Sequence, residues 1–275
     1  MNSTWQALAR EAGTAADHLA IGVTAIGKAN YAQNAYYSQA FFALSTGLER
    51  TAKLGLVIDY ALENGGKFPS TKEVSQYRHN LRKLLNQLDE IAKRRGLTKP
   101  EDRLPSTSIH NGIIEVLSEF ADSGVRYYNL DFVTGSSTLK DIRDPVWSWF
   151  EKVTKPVLNV HYKSHHKATV EENAKVVAEL LEGSAKVFHH SEQGNPLDTI
   201  YDASVQTGLA DFAKPYTRMY VMQITRFLAI LMTELTYSAN KAQKSDIPHL
   251  PDFFAIFNNS DNYFKKRKTW SIYHT

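Results

Sequence analysis

The apolar residues of this chain recur at intervals of three and four almost from end to end, and no stretch alternates strictly as a half-buried strand does. That pattern confines it to helices with one buried stripe each, so an all-α fold is expected. Tyr37, Phe41, Leu44, Leu48 and Ala52 mark a helix over roughly 30–62, ended by Gly65-Gly66. Ser70-Thr71-Lys72-Glu73 is a capping box, whose hydroxyl and carboxylate satisfy free amides of a first turn. From it, Val74, Tyr77, Leu81, Leu84, Leu88 and Ile91 predict one helix running to the cationic last turn and stop of Lys93-Arg94-Arg95-Gly96. Two prolines make 97–108 a loop, and Ser108 is the expected N-cap of a helix carrying Ile113, Val116, Leu117 and Phe120.

Gly135-Ser136-Ser137-Thr138 is turn chemistry and suggests a boundary near residue 138. Beyond it, Asp144-Pro145 opens a helix holding Val146, Trp147, Trp149, Phe150, Val153, Val157 and Val160, with both tryptophans read as core and a kink expected at Pro156. Thr169-Val170-Glu171-Glu172 is a second capping box, with Val176, Val177, Leu180, Leu181 and Phe188 as the expected buried face. A final long helix is predicted over Pro215–Asn240, carrying Tyr220, Phe227, Leu231 and Leu235. Its apolar run from Met219 to Leu235 is broken by Arg226 and Glu234, so it reads as a core helix rather than a membrane span. The expected organisation is an N-terminal helix (1–28, with Leu8, Leu19 and Ile21), a helical bundle (29–138) and a helical C-terminal region (139–275).

Composition narrows the function classes. The 32 Lys and Arg nearly balance 29 Asp and Glu, for a formal charge of +3, so any anion site must be local. No cysteine is present, which removes disulfides and thiolate metal sites and fits a reducing compartment. The start shows no basic segment followed by an apolar run, and a cytoplasmic location without membrane contact is expected.

Three motifs in the first half carry a family resemblance. They are Ala40-Phe41-Phe42-Ala43-Leu44-Ser45-Thr46-Gly47-Leu48-Glu49-Arg50-Thr51-Ala52-Lys53, then His79-Asn80-Leu81 with Leu84-Leu85 downstream, then Arg126-Tyr127. In that order, from about Ala29 to Gly135, they resemble a HEPN domain, the four-helix bundle of many prokaryotic RNA-cutting and phage-defence proteins. The resemblance implies a homodimer, and either a module that binds RNA, a nucleotide or a partner protein of the same defence or toxin-type system, or a metal-independent endoribonuclease. In the second case an Arg would hold the scissile phosphate and a His would move the proton of the attacking 2′-hydroxyl, with the site formed across the dimer. Arg126 with His79, and Arg103 with His110 at the family's spacing, are the catalytic candidates. Glu49, Lys53, Asn80 and Tyr127 are the candidate ligand contacts, and no cofactor is implied.

Read without the resemblance, Glu49 and Lys53 at i, i+4 with His79 and Arg126 form either a structural ion-pair network or an anion site. The small residues Ala40, Ala43 and Gly47 suggest the dimer face. His161, His165 and His166 put two imidazoles at i, i+4 on one helix face, which is metal-ligand spacing, and His189-His190 could approach from the next helix, but no Asp or Glu lies between the first two and the carboxylates nearby belong to a capping box, so no metal is expected. Lys265-Lys266-Arg267-Lys268, flanked by Tyr263, Phe264 and Trp270, is either a solvated tail or a stacking segment for single-stranded nucleic acid.

Overall fold

A computed structural model describes residues 2–76, 79–121, 125, 127–136 and 143–271. Among the described residues the chain is all-α apart from one two-residue-per-strand hairpin. In order come α1 (Ser3–Ile26), α2 (Ala35–Glu63), α3 (Thr71–Ser75), α4 (Leu81–Arg94), α5 (Ser108–Ala121) and α6 (Tyr128–Val133). There follow α7 (Pro145–Trp149), a π turn (Phe150–Thr154), α8 (Lys155–His161), α9 (Ser164–Leu181), β1 (His189–His190), β2 (Pro196–Leu197), α10 (Ile200–Lys241), α11 (Pro251–Phe254) and α12 (Asp261–Lys266). β1 and β2 are antiparallel, with His189 opposite Leu197 and His190 opposite Pro196.

The core forms around α2 and the second half of α10, joined by α1, α4, α5 and the α7–α8 segment, and is continuous across residue 138. Phe41, Leu44, Leu48 and Ile58 of α2 and Phe227, Leu228, Leu231 and Leu235 of α10 are almost wholly buried, as their spacing predicts. Among the described residues no helix is long and apolar enough to cross a membrane.

α1 and α2 approach closely because glycines face side chains. A Cβ on Gly47 would lie 2.9 Å from the Leu19 amide nitrogen, and one on Gly22 would lie 2.6 Å from Leu44 Cγ. Ala40, Ala43 and Gly47 are therefore buried within the chain itself, and the small-residue face read as a dimer surface is an intrachain contact.

Local chemistry explains the other departures. The capping box at Ser70 and Glu73 forms, but α3 stops at Ser75, and Asn80 caps a new helix by accepting from the Lys83 amide at 2.9 Å. A second good N-cap splits what the apolar period reads as one helix. α9 begins at Ser164, five residues before the predicted box, so Thr169 is interior and donates to the His165 carbonyl at 3.0 Å. Its packed side is that of Val170 and the buried Ala174, with Val170 against Gly208. Val176, Val177, Leu180, Leu181 and Phe188, expected to be buried, are exposed, as is Ile21. α10 starts fifteen residues earlier than predicted, at Ile200, where Thr199 accepts from the Asp202 amide at 3.0 Å. The predicted kink at Pro156 takes the form of the π turn just before it. Asp144 caps α7 as expected.

Candidate functional site

The sequence-derived residues separate into three places. Glu49 of α2 does join Lys53 and His79: one carboxylate oxygen takes Lys53 Nζ at 2.7 Å and His79 Nδ1 at 2.9 Å. Glu49 is mostly covered whereas the His79 ring is largely in solvent, so the arrangement is an ion pair with an imidazole resting on it. Asn80 is engaged as the α4 cap. Arg126 lies outside the described residues.

Arg103 and His110 are both occupied by structural contacts. Arg103 makes a two-pronged bond to Asp89, from Nε at 2.7 Å and Nη2 at 2.6 Å, and Asp89 also accepts the Leu104 amide at 2.9 Å. Although burial works against it, the Arg103 bonds hold the Asp89 carboxyl below the usual carboxylate range. His110 is 3% exposed, with Nδ1 2.7 Å from Thr107 Oγ1 and Nε2 2.8 Å from Gln223 Oε1. Since Gln223 Nε2 donates to Asp261 at 2.9 Å, its Oε1 accepts, which places a proton on His110 Nε2. Neither member of this pair can reach a phosphate without breaking its own network.

Burial holds His110 below the ordinary histidine range, the bond to Gln223 opposing it only in part. As pH falls, the unfolded chain therefore takes up this proton first. The stabilisation is whole above about pH 6.5 and is lost as pH falls through that value, by at most about 1.4 kcal/mol per pH unit for one proton. His161 and His166 are also shifted down, so they add with the same sign. We expect the melting temperature to drop between about pH 7.5 and 5.5, and His110→Gln to flatten that dependence. A midpoint that rises on acidification contradicts it.

The third place is a cleft that motif reading does not identify. Two adjoining hollows, about 370 Å³ and about 600 Å³, share Asn34, Tyr128, Asp144 and Val146. Their walls are the α1–α2 turn, α6 with Tyr127, the start of α7, and the β1–β2 hairpin. The Arg143 guanidinium lies 4.3 Å from the centre of the Trp147 ring, one helical turn on. The His189 ring meets Tyr31 edge-on at 5.6 Å, and His190 lines the same hollow.

The hairpin is positioned from below. Glu192, 7% exposed, accepts from Tyr37 Oη at 3.2 Å and from Gln206 Nε2 at 2.6 Å, tying the turn to α2 and α10. Burial first, and the Glu192 charge second, push the Tyr37 hydroxyl well above its ordinary range, so it remains a donor. Gln193 donates to Glu151 at 3.1 Å, and Gly194 closes the turn with φ of +82°, a left-handed conformation natural to glycine.

The cleft holds one fixed cation, Arg143, and two carboxylates, which accept hydrogen bonds from uncharged donors and keep their charge. Of its carboxylates, Asp144 is taken by the Val146 amide at 2.7 Å and Glu192 by Tyr37 and Gln206. Among the described residues no carboxylate forms an ion pair with Arg143; Glu151 feels its charge but is held low chiefly by Lys155 and Gln193. A guanidinium, two imidazoles and the rings of Trp147, Tyr31 and Tyr128 line one opening together with the Asp144 and Glu192 carboxylates. Tyr127, a sequence candidate, lines it too and is 66% exposed. Trp149 is core as read, but Trp147 is a wall of the cleft. The signal available in sequence was Arg143 and Trp147 at i, i+4.

Among the described residues no three His, Asp or Glu side chains converge as metal ligands. The stacking segment at the C-terminus is not free for a ligand: Phe264 and Trp270 are buried, and Arg267 covers Tyr263 and Trp270. Compared with protein-family models, curated proteins and solved structures, the chain matches none.

Proposed function

We propose that this protein is a helical module that binds single-stranded RNA, one nucleotide unit of which occupies the cleft between α6, α7 and the hairpin. The observation that carries the reading is Arg143 laid over Trp147 beside His189 and His190, with no carboxylate ion-paired to the guanidinium among the described residues. A guanidinium recognises phosphate oxygens in a forked pair, and an exposed ring edge or face accepts a base whatever its sequence. The resemblance of the first half to HEPN domains points the same way, toward a cytoplasmic RNA-directed module of a defence or toxin-type system, working as a homodimer or with a partner protein.

The test is fluorescence anisotropy with a labelled single-stranded RNA and with a mononucleotide. Arg143→Ala and Trp147→Ala should each weaken RNA binding at least about tenfold, and Arg143→Ala should also reduce the salt dependence. Lys53→Ala should leave it unchanged. Equal affinity in wild type and both cleft variants overturns the proposal.

Two imidazoles beside a guanidinium also favour a second reading, metal-independent RNA cleavage. One imidazole would take the proton of the 2′-hydroxyl as it bonds to phosphorus, and the other would protonate the departing 5′-oxygen. Cleavage in chelator that His189→Ala and His190→Ala each reduce about a hundredfold or more, with RNA affinity kept, supports it. Cleavage lost in His79→Ala and Arg126→Ala, but not in those two, returns the site to the pair the resemblance implies.

A further inference from the structure

The smaller hollow of the cleft, about 370 Å³, differs in kind from the larger one beside it. Its floor belongs to the protein core: the Phe41 and Phe120 rings meet edge-on at 5.6 Å, Trp149 lies 5.3 Å from Phe41, and Phe41, Phe120 and Val125 are all buried. Side chains packed at core density hold their places, so the hollow is formed before any ligand arrives. Another wall is α6, where Tyr127 and Leu130 are each 66% exposed and Tyr128 stacks on Phe132 with centroids 6.4 Å apart. Large apolar side chains that line a hollow and yet stand mostly in water gain from a ligand that covers them.

Its polar groups say what kind of ligand that is. Among the described residues Asp144 is the one charged side chain lining this hollow, with Oδ1 capping α7 through the Val146 and Trp147 amides. That carboxylate repels a phosphate from the hollow, while it can still accept an N–H. The Asn34 and Asn129 amides and the Ser38 hydroxyl line the hollow too, and none of these three side chains has a hydrogen-bond partner among the described residues. Each can both donate and accept. An apolar floor, exposed rings and uncommitted polar groups without a cation suit an uncharged flat ring with polar edges, which describes a nucleobase; a phosphate or a fatty chain would leave one set of groups unused. The larger hollow supplies the cation that this one lacks, Arg143, across a wall made of Asn34, Tyr128, Asp144 and Val146.

We propose that the smaller hollow is a second base subsite, so that the unit this protein recognises is a dinucleotide step. The phosphodiester lies at Arg143 with one base beside Trp147, and the neighbouring base sits over the Phe41–Phe120 floor against α6. The inference rests on the reading of the cleft as an RNA site, and it adds the length of the ligand and the place of its second base. Shape and the edges offered by Asn34, Ser38 and Asn129 then govern the second position, and charge governs the first. Enclosing one more base against aromatic side chains is worth about tenfold in affinity.

The experiment is isothermal titration calorimetry of the full chain with two probes of equal charge. One is the RNA dinucleotide ApA with a 2′-O-methyl group that blocks cleavage. The other is the same 2′-O-methyl adenosine as its 3′-methyl phosphodiester, with one base and the same single negative charge. Wild type should bind ApA about tenfold more tightly than the one-base probe. Ser38→Trp, which fills the smaller hollow from an exposed position, and Tyr127→Ala should each erase that gain and leave the one-base probe unchanged, with thermal unfolding as in wild type. Arg143→Ala should weaken both probes alike. Equal affinity for the two probes in wild type overturns the second subsite even where Arg143 proves essential, and so does a gain that survives both Ser38→Trp and Tyr127→Ala. A gain erased by those variants but indifferent to Arg143→Ala keeps the base subsite and sinks the placing of phosphate at Arg143 instead. A wild type that sediments as a dimer and becomes a monomer in Tyr127→Ala, without any dinucleotide gain, gives the hollow to a second copy of the chain and overturns the proposal.

Discussion

Replacing Asp59 with Ala should destabilise the protein by about 3 kcal/mol, the cost of taking from a buried charge its main partner. The Asp59 side chain is 9% exposed and sits inside α2, where it accepts from Arg94 Nη2 at 2.5 Å and from Arg95 Nε at 2.8 Å and Nη2 at 2.5 Å. The two arginines differ in consequence. The Arg94 side chain is 51% exposed and can turn to water, whereas Arg95 is 11% exposed and also donates to Ser238 of α10 at 3.3 Å. Loss of Asp59 therefore leaves the Arg95 guanidinium, where α2, α4 and α10 meet, with only the half-exposed Glu63 at 3.2 Å and Ser238. Asp59→Leu combined with Arg95→Met removes both charges together and should recover most of the loss, because an ion pair returns little beyond the desolvation it suffers. Urea unfolding of the two singles and the double measures the coupling; additive losses would show that the pair acts as two independent surface charges.

Asp59 also shows what the sequence could and could not disclose. Lys93-Arg94-Arg95 reads as a cationic last turn complementing the α4 dipole, which is correct locally, yet the partner that buries Arg95 lies thirty-six positions earlier on another helix. Periodicity reports which face of a helix is covered, and it located the stripes of α2, α4, α5 and the buried part of α10. It does not report what covers that face. Thus Ala40, Ala43 and Gly47 were legible as a close-packing surface, but not as one the chain buries itself, with Leu19 of α1 against Gly47.

The same limit separates the two kinds of site residue. Glu49, Lys53 and His79 meet as their motifs suggest, two of them being one turn apart on a single helix. The charged, imidazole and most aromatic groups of the cleft come from a loop, two short helices and a hairpin of two-residue strands, none long enough to carry a period. Its chemistry becomes visible only when Glu192 is seen pinning the hairpin to α2 and α10. α9 has a related reason for being misread: it starts on Ser164-His165-His166-Lys167, a run with none of the acidic residues that usually mark a first turn.

Gly112→Ala should be the most damaging glycine-to-alanine change among the described residues, and it should weaken RNA binding as well. A Cβ on Gly112 of α5 would fall 2.2 Å from the Lys152 carbonyl oxygen, a backbone atom in the π turn, so a side-chain shift cannot relieve it. Overpacking of this kind costs typically about 1–3 kcal/mol and sometimes more. The carbonyl stands there for a covalent reason: Pro156 has no N–H to return to Lys152 four residues back, and the turn between α7 and α8 widens instead. Pushing that turn outward also moves α7, and with it Trp147 and the Arg143 above it, so RNA affinity should fall even in molecules that stay folded. Pro156→Ala gives position 156 an amide able to draw the Lys152 carbonyl back toward the helix axis. The double variant Gly112→Ala/Pro156→Ala should therefore lose less stability than the sum of its parts, by about 0.5–3 kcal/mol for directly coupled residues. Strict additivity in thermal unfolding, or full RNA affinity in Gly112→Ala, would separate the π turn from the cleft and leave α7 held by its other contacts, with Trp149 against Phe41 at 5.3 Å foremost among them.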